Sequence, residues 1–257
     1  MIDLSGKVAL VTGGGRGIGA AIVRRFVELG GHAVLHDVKA TGAAAEVQQE
    51  LGVERCHVLA GDLSRTGAAV DVFAKAVAWK GRIDVLVNNA GIYESADIDD
   101  PFDAWSRSWN RTLQVNLVAP GDFCREAIRH FRASDAKARG GGIIVNLASR
   151  AAFRGDDADY MHYAASKAGV VAMTRTIARH FGRQGITAFA IAPGWVRTQL
   201  NQDFFDKYGV DAAAETIPLG EVAEPEDIAN TVAFLASGMA KHATGTTIDI
   251  NGASYVR

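Results

Sequence analysis

A glycine-rich segment near the beginning of the chain constrains the fold more than any other feature. An apolar run over residues 8–11 leads directly into this segment, and a helical pattern follows over residues 20–29. Glycines between a strand and a helix allow a tight turn and a close approach of the backbone to a pyrophosphate at the helix N-terminus. A purely structural turn would use similar residues, but the position favours dinucleotide binding. The segment reads Thr12-Gly13-Gly14-Gly15-Arg16-Gly17-Ile18-Gly19.

The rest of the chain alternates short β-branched runs with longer segments of helical period, the pattern of βαβ units in a parallel sheet. We find no repeat, no low-complexity linker and no break in composition. We therefore predict one α/β domain over residues 1–257, with a doubly wound, seven-stranded parallel Rossmann-type sheet and helices on both faces. The candidate strands are residues 8–11, 33–36, 56–60, 85–87, 143–147, 187–191 and 246–250, and the clearest helices are residues 20–29, 68–79, 165–181 and 225–235.

Residues 198–218 fit this alternation least well. They follow a predicted strand end and carry Leu200, Phe204, Phe205 and Tyr208 with no strand for these side chains to pack on. We interpret the segment as a helical excursion and expect it to form a lid over the substrate.

Composition argues against several other functions. The chain is 48% hydrophobic and 22% charged, the usual soluble mixture, and its net charge of −2 gives no bulk attraction to nucleic acid or to an anionic membrane. The basic stretch 125–139 is interrupted by acidic residues and reads as a solvated helix end. No apolar run approaches the roughly 18 residues of a spanning helix, and we expect neither a nucleic-acid nor a membrane partner.

Cysteine and histidine usage bears on location and metals. Cys56 and Cys124 lack metal-ligand spacing, so we expect buried, inert thiols in a reducing compartment. The first residues lack the layout of a signal peptide, and together these features predict a cytoplasmic protein. The seven histidines are scattered, so we expect no metal site.

The residue at the end of the second predicted strand bears on cofactor choice. Asp37 lies about twenty residues beyond the glycine-rich turn, where a carboxylate can accept hydrogen bonds from the ribose hydroxyls of NAD and repel the 2′-phosphate of NADP. Arg16 and Lys39 are nearby cations that would favour that phosphate instead. Because Asp37 occupies the strand end itself, we predict NAD as the cofactor, with NADP as the less favoured alternative.

Two further segments follow predicted strands. Asp62 and Leu63 come after the third strand, where a carboxylate could reach the adenine edge. Asn89, Ala90 and Gly91 come after the fourth strand, at the sheet edge where ligands bind in such folds. Both segments would also suit ordinary turns, since asparagine and glycine favour positive φ angles.

A tyrosine–lysine pair supplies the clearest chemical signal. Tyr163 and Lys167 lie four residues apart and therefore on one face of a predicted helix. A tyrosine with a pKa near 10 is a poor acid or base at neutral pH, and we expect the lysine ammonium to lower the pKa of Tyr163. Ser149 follows the fifth predicted strand and could donate a hydrogen bond to the reacting oxygen.

With these features combined, the chain resembles the short-chain dehydrogenase/reductase family, in its compact single-domain branch. The resemblance covers essentially the whole sequence and includes Asn116 and the segment Pro193-Gly194-Trp195-Val196-Arg197-Thr198. It implies that Tyr163 is the general acid/base, that Lys167 lowers the pKa of Tyr163 and binds the nicotinamide ribose, and that Ser149 orients the substrate oxygen.

The resemblance implies further roles. Asn116 would anchor a water that links Lys167 to solvent, and Asn89, Ala90 and Gly91 would line the cofactor. Val196 and Thr198 would contact the nicotinamide carboxamide. The family is usually tetrameric, so the resemblance also implies a homotetramer, with residues 165–181 and the helix that carries Asn116 as interface helices.

Two features depart from the family pattern. Ser149 lies fourteen residues before Tyr163, one more than the common spacing, so the intervening loop must bulge. Tyr160 is an alternative acid/base, but the residue four positions later is Ala164 and not a lysine. The loop also carries the charged residues Arg150, Arg154, Asp156, Asp157 and Asp159. A solvated loop explains these charges, and the two arginines could instead form a cationic rim for a substrate with an anionic group.

We therefore predict a nicotinamide-dependent oxidoreductase that interconverts a small-molecule secondary alcohol and a ketone. A reductase of 3-oxoacyl thioesters in the same family is the close competitor. A non-catalytic dinucleotide-binding regulator would need neither Ser149 nor the Tyr163–Lys167 pair. An S-adenosylmethionine methyltransferase also uses a glycine-rich turn, but the tyrosine–lysine pair would have no purpose there.

Overall fold

The computed structural model describes residues 1–134 and 141–257. In these residues a parallel sheet of seven strands has the order β3-β2-β1-β4-β5-β6-β7. The order reverses between β1 and β4, and the crevice at such a switch point is where open α/β sheets bind ligands. The strands are β1 Val8–Thr12, β2 His32–Asp37, β3 Cys56–Ala60, β4 Val85–Asn88, β5 Gly142–Leu147, β6 Ile186–Pro193 and β7 Thr247–Ile250.

Helices connect the strands and cover both faces of the sheet. Between α4 and α5 the chain forms a π-helical turn, Gln114–Val118. Single 3₁₀ turns lie at Ala158–Tyr160, Gly182–Gln184, Gln199–Asn201 and Lys241–Ala243. The α-helices are α1 Gly17–Glu28, α2 Ala43–Leu51, α3 Ala68–Lys80, α4 Phe102–Leu113, α5 Ala119–Ala133, α6 Ala151–Arg154, α7 Met161–Phe181, α8 Gln202–Tyr208, α9 Val210–Ala214 and α10 Pro225–Ser237.

The core has two layers because the side chains of a strand alternate between the faces of a sheet. In β1, Ala9 and Val11 pack on one face with Phe26 of α1 and Val232 of α10. Leu10 of the same strand packs on the other face, in a layer that includes side chains of α3, α5 and α7. These layers hold the carboxyl ends of the strands in fixed register, which determines where the residues that follow each strand lie.

The predicted doubly wound α/β fold is confirmed, and each predicted strand and helix is present with small shifts at its ends. Helix α1 begins at Gly17 and α7 at Met161, which is earlier than the apolar periodicity indicated. The first turns read Gly-Ile-Gly-Ala in α1 and Met-His-Tyr-Ala in α7, and neither continues the apolar spacing of its helix. The two missed turns are also the parts of these helices that face the cleft described below.

Residues 198–218 are helical, as predicted, but part of the segment has a core of its own. Phe205, Ala213, Ile217 and Val222 are buried together in a small cluster. Of the four apolar side chains that we expected to have no strand to pack on, Phe205 is buried against other residues in this cluster. In the first half, Leu200 and Tyr208 remain about half exposed, at 50% and 55%.

Other expectations concern cysteines, charges and membranes. Cys56 and Cys124 are buried and unpaired, and burial raises the pKa of both thiols to about 12, so neither is a reactive thiolate at neutral pH. The basic stretch 125–139 lies partly on α5 and partly outside the described residues. None of the helices described is both long and apolar enough to cross a membrane.

Candidate active site

The glycine-rich turn between β1 and α1 is tightly packed against neighbouring backbone. Gly13 has a φ of +63°, and a Cβ at this position would lie 2.9 Å from Cα of Ala90. A Cβ on Gly19 would lie only 2.0 Å from the carbonyl oxygen of Gly13. Side chains at these positions would push the turn apart, so glycine is required for this geometry. The turn leaves a concave surface at the N-terminus of α1, which is the shape that a pyrophosphate requires.

A cleft of about 750 Å³ runs from this turn along the carboxyl ends of the strands. It brings together all the predicted site residues except Asn116. Lys39, the possible competitor of Asp37, is not among the lining residues. The predicted residues that line the cleft are Gly13, Arg16, Gly17, Ile18, Gly19, Asp37, Asp62, Leu63, Asn89, Ala90, Gly91, Ser149, Tyr163, Lys167, Pro193, Gly194, Val196 and Thr198.

Asp37 lies at the end of β2, beside the glycine-rich turn. Its Oδ2 accepts a hydrogen bond from the backbone N–H of Gly15 at 3.0 Å, and its Oδ1 accepts one from Val38 at 2.7 Å. These bonds orient the carboxylate, and each oxygen keeps a lone pair that can accept a hydroxyl hydrogen. Arg16 points elsewhere, because its Nη1 donates to Oε1 of Gln199 at 2.8 Å.

Asn89 has a structural role that spacing alone did not indicate. Its side-chain amide donates to the carbonyl oxygens of Thr12 at 2.9 Å and Gly13 at 3.0 Å. The hydroxyl oxygen of Thr12 in turn accepts hydrogen bonds from the backbone N–H groups of Asn89 and Ala90, both at 3.0 Å. These bonds join the end of β4 to the glycine-rich turn. Asn89 lines the cleft, but its amide hydrogens are used to hold this turn.

Asn116 lies in the π-helical turn, behind the wall of the cleft. Its side chain makes two hydrogen bonds to the backbone of Ile92, one accepted by Oδ1 and one donated by Nδ2, each at 2.9 Å. A Cβ on Gly91 would lie 3.4 Å from both Asn116 Oδ1 and Lys167 Nζ, so these two side chains are close neighbours. The side-chain amide of Asn116 therefore holds the segment that follows Gly91 in place.

Tyr163, Lys167 and Ser149 meet at one end of the cleft. The ammonium nitrogen of Lys167 lies 5.7 Å from the centre of the Tyr163 ring and donates to the carbonyl oxygen of Leu147 at 2.9 Å. That bond ties the first turns of α7 to the end of β5. Ser149 follows the same strand, and a hydrogen bond with Ser149 lowers the pKa of Tyr163. The residues predicted to handle the proton are therefore adjacent in space.

The direction of the pKa shift of Tyr163 differs from our expectation. Burial raises the pKa of Tyr163 to about 12, against the smaller lowering by Ser149, and burial lowers the pKa of Lys167 to about 8. The sequence argument counted the attraction between phenolate and ammonium but could not include the loss of water around both groups. Loss of water disfavours the charged form of each residue. In the protein alone, Tyr163 is a neutral phenol that can donate a proton.

Two stacked tyrosines line the cleft beside Tyr163, and sequence reasoning did not identify one of them, Tyr93. Tyr93 lies parallel to Tyr160, with ring centres 3.9 Å apart, and meets Tyr163 edge-on at 4.7 Å. Tyr93 comes two residues after Gly91, in the segment that follows β4, and this position was the available signal. Tyr160, the alternative acid/base, is part of the wall and has no lysine four residues later.

The extra residue between Ser149 and Tyr163 is accommodated by α6 and by the 3₁₀ turn that precedes α7. In this loop Arg150 is not a free rim cation. It is 8% exposed, its Nη1 donates to Oγ of Ser254 at 2.6 Å, and its guanidinium carbon lies 5.4 Å from the centre of the Trp195 ring. Arg150 therefore connects the loop to the C-terminal residues and to the segment after β6.

The expected cationic rim is wrong as a description of the charges around the cleft, because carboxylates accompany the cations almost one for one. One of the carboxylates, Asp156, lies 3.9 Å from Nη2 of Arg154. The cationic lining residues are Arg16, Arg111, Arg150, Arg154, Lys167 and Lys207, and the carboxylates are Asp37, Asp62, Asp156, Asp157 and Asp203.

The residues present fit a dinucleotide with a nicotinamide ring, while in the part of the chain that the structure describes no group of histidine, cysteine or acidic side chains could hold a metal ion. The concave turn at Gly13–Gly19 suits the pyrophosphate, and Asp37 and Asp62 suit hydroxyl and amino hydrogens of an adenosine. Tyr163 and Lys167 lie at the opposite end, beside the segment Pro193–Thr198. The bound cofactor would supply hydride chemistry at that end.

Two curated relatives are similar over nearly the whole chain. 3β-Hydroxysteroid dehydrogenase 1 of Eggerthella lenta is 38% identical over 255 residues, which cover 97% of this chain and 94% of that protein. D-Threitol dehydrogenase of Mycolicibacterium smegmatis is 36% identical over 256 residues, which cover 99% and 95%. A family model described as enoyl-(acyl carrier protein) reductase matches residues 13–253.

Solved structures agree with this similarity. A 3-ketoacyl-(acyl-carrier-protein) reductase from Brucella melitensis complexed with NADH has a TM-score of 0.88 and 30% identity, over 99% of this chain and 100% of that chain. Pseudomonas aeruginosa RhlG, in an NADP active-site complex, has a TM-score of 0.90 and 27% identity, over 99% and 98%. The fold and the comparisons define an oxidoreductase with a dinucleotide cofactor. The chain belongs to the short-chain dehydrogenase/reductase family.

Proposed function

We propose that this enzyme interconverts a secondary alcohol and a ketone of a small-molecule substrate, with NAD preferred and Tyr163 as the proton-transferring residue. The observation that carries the proposal is the meeting of Tyr163, Lys167 and Ser149 at one end of a cleft whose other end suits a dinucleotide. In the reducing direction the neutral phenol of Tyr163 donates its proton to the substrate oxygen. In the oxidising direction the same oxygen returns the proton.

The neighbours of Tyr163 have distinct roles in this proposal. Ser149 donates a hydrogen bond that orients the substrate oxygen, and Lys167, held by the carbonyl of Leu147, lies beside the tyrosine and contacts the nicotinamide ribose. Asp37 selects NAD by accepting ribose hydroxyls and repelling a 2′-phosphate. The finer assignments of a single domain over residues 1–257, a cytoplasmic location and a homotetramer belong to the same proposal.

A 3-oxoacyl thioester reductase is the second candidate, and it is favoured by the likeness to the Brucella melitensis reductase. Thioesters of this kind are carried on a phosphorylated arm, which a cationic entrance would attract. The six cations and five carboxylates that line this cleft nearly balance instead. We therefore prefer an alcohol or ketone substrate that is not attached to a carrier.

Replacement of Tyr163 tests the proposed chemistry. Tyr163→Phe keeps the ring but removes the proton, so turnover should fall by on the order of a hundredfold or more, the scale of general acid–base groups. Steady-state rates with secondary alcohols and ketones measure the loss, and dinucleotide binding by calorimetry should change little. Full activity in Tyr163→Phe, together with loss in Tyr160→Phe, would show that Tyr160 is the proton-transferring residue.

A further inference from the structure

One carboxylate beside the proposed proton donor has no role in the chemistry described so far. Asp156 lies in the loop between Ser149 and Tyr163 and lines the cleft. Its side chain is only 11% exposed. Carboxylates removed from water to this degree are normally paired or fully hydrogen-bonded, because burial of an unpaired charge is costly.

The partners of Asp156 leave most of its hydrogen-bond acceptor sites unused. Oδ1 accepts a hydrogen bond from the backbone N–H of Asp157 at 3.1 Å, the only hydrogen bond to this carboxylate in the described residues. Nη2 of Arg154 lies 3.9 Å from the same oxygen, too far for a hydrogen bond. A carboxylate can accept about four hydrogen bonds. Asp156 therefore presents unused acceptor sites at the wall of the cleft.

Asp156 is also close to the reacting centre. It lines the same cleft as Tyr163, and its negative charge raises the pKa of Tyr163 and of Tyr93. Tyr93 and Tyr160, stacked face to face, line this cleft too and give its wall an aromatic surface. A substrate whose oxygen meets Tyr163 can therefore place a second group at Asp156 within the same cleft.

The surrounding charges indicate what kind of group this is. A cationic group on the substrate would be repelled by the guanidinium groups of Arg150 and Arg154, whose charges act on Asp156. An anionic group would be repelled by Asp156 itself. A neutral hydroxyl group is compatible with both kinds of charge, because it donates a hydrogen bond to a carboxylate and accepts one from a guanidinium. The aromatic surface suits the C–H face of a ring or of a short carbon chain.

Building on the proposed function, we propose that Asp156 is a specificity-determining residue that accepts a hydrogen bond from a second hydroxyl group of the substrate. The preferred substrate is then a neutral diol or polyol, or the corresponding hydroxyketone. A site built to bind a hydroxyl discriminates strongly against the analogue that lacks it, since the buried acceptor then stays unpaired. Asp156 contributes to substrate recognition and takes no part in proton transfer.

Matched alcohols that differ by one hydroxyl test this assignment. Cyclohexanol is compared with the 1,2-, 1,3- and 1,4-cyclohexanediols, and butan-2-ol with butane-2,3-diol, each with NAD and with NADP. In wild type, kcat/KM for the best diol should exceed that for its mono-alcohol by about tenfold or more, the scale of a charge-assisted hydrogen bond. The ratio is the readout because any change in the pKa of Tyr163 affects both members of a pair alike.

Three variants complete the experiment. Asp156→Leu removes the acceptor and should bring the ratio of kcat/KM for diol to mono-alcohol to within about twofold of unity. Asp156→Asn keeps a neutral acceptor, so its ratio should lie between those of wild type and Asp156→Leu. Asp159→Asn is the matched control: it makes the same chemical change in the same loop, but Asp159 does not line the cleft. Its diol preference should equal that of wild type.

Different results would contradict the role of Asp156 and the proposed oxidoreductase function. Turnover of mono-alcohols and diols with equal kcat/KM, or a diol preference that survives in Asp156→Leu, overturns the role of Asp156 and leaves the oxidoreductase proposal standing. Absence of turnover of every alcohol in the panel and of the corresponding ketones, with dinucleotide binding intact by calorimetry, overturns the proposed substrate class itself.

Discussion

At the scale of single residues, water exclusion has the largest effect on the candidate site. Burial raises the pKa of Tyr163 and lowers that of Lys167, so both groups are displaced toward their neutral forms. A neutral phenol next to a lysine that titrates near neutrality is suited to exchanging a proton with a substrate oxygen. The same displacement has a cost, because a buried lysine must hold its charge without water.

This cost predicts an effect of Lys167 on stability. The pKa of Lys167 is about 8 in the folded protein, below the ordinary lysine value of 10.5, so below pH 8 the folded state carries the full penalty of the buried charge. Lys167→Met should therefore raise the free energy of unfolding at pH 7 by about 1–2 kcal/mol, after allowance for the lost hydrogen bond to Leu147. Activity should be lost in the same variant.

The pH dependence of the free energy of unfolding tests whether the buried charge of Lys167 is the cause. Between pH 8 and 10.5 the unfolded chain holds more protons at Lys167 than the folded chain, so the stability of wild type rises with pH in this window. The advantage of Lys167→Met, measured by urea denaturation, should shrink over the same window. An advantage that stays constant with pH would point to better packing by methionine instead.

Asp37 carries a second prediction at this scale. Removal of its carboxylate deletes hydrogen bonds to the ribose hydroxyls and the repulsion of a 2′-phosphate, so Asp37→Ala should lower kcat/KM with NAD and raise it with NADP. The charge-assisted bonds contribute roughly 1.5–3 kcal/mol. The NAD-to-NADP ratio of kcat/KM in wild type is the first measurement. A wild-type preference for NADP would mean that Arg16 or Lys39 outweighs Asp37.

At the scale of elements, the segment after β6 divides into two parts. The stretch that includes α9 is anchored by Phe205, Ala213, Ile217 and Val222. The stretch from Gln199 to Tyr208 contributes Phe205 to that cluster and packs Phe204 on Trp195 at 4.5 Å, and the exposed bond from Arg16 to Gln199 joins it to the cofactor turn. An element that keeps half-exposed apolar side chains, here Leu200 and Tyr208, at the mouth of a cleft is suited to closing over a substrate.

We predict that residues 199–209 order when cofactor and substrate are both bound. Their amides should exchange rapidly in the protein alone and become protected in the ternary complex, while those of α10 should be equally protected in both states. Hydrogen exchange followed by mass spectrometry measures both regions in one experiment. Strong protection of residues 199–209 in the protein alone would contradict the lid and favour a fixed surface element.

At the scale of the whole molecule, the family resemblance predicts association into a homotetramer. The chain has a mass of 27.2 kDa, so sedimentation should give a particle of about 109 kDa. Most soluble oligomers are symmetric homo-oligomers, among which tetramers come after dimers in frequency. A concentration-independent mass of one chain in sedimentation velocity would contradict the prediction.

Much of this architecture could be predicted from local sequence. The glycine-rich turn, the buried strands and the pair Tyr163–Lys167 are encoded by neighbouring residues, because backbone conformation and helix spacing depend on short stretches of chain. The starts of α1 and α7 were misplaced for the same reason, since the apolar spacing of each helix is not continued where it meets the cleft. Asp37 could be placed because it is at the end of a strand.

Other features depend on contacts between distant parts of the chain, and only the tertiary structure decided them. Sequence alone could not show that Arg150 is bonded to Ser254, that Asn89 holds the glycine-rich turn, or that Tyr93 stacks on Tyr160. The pKa of Tyr163 belongs to this group, because it depends on how completely folding removes water from the residue. Spacing determined which residues meet, and packing determined their charge and their freedom to bind a substrate.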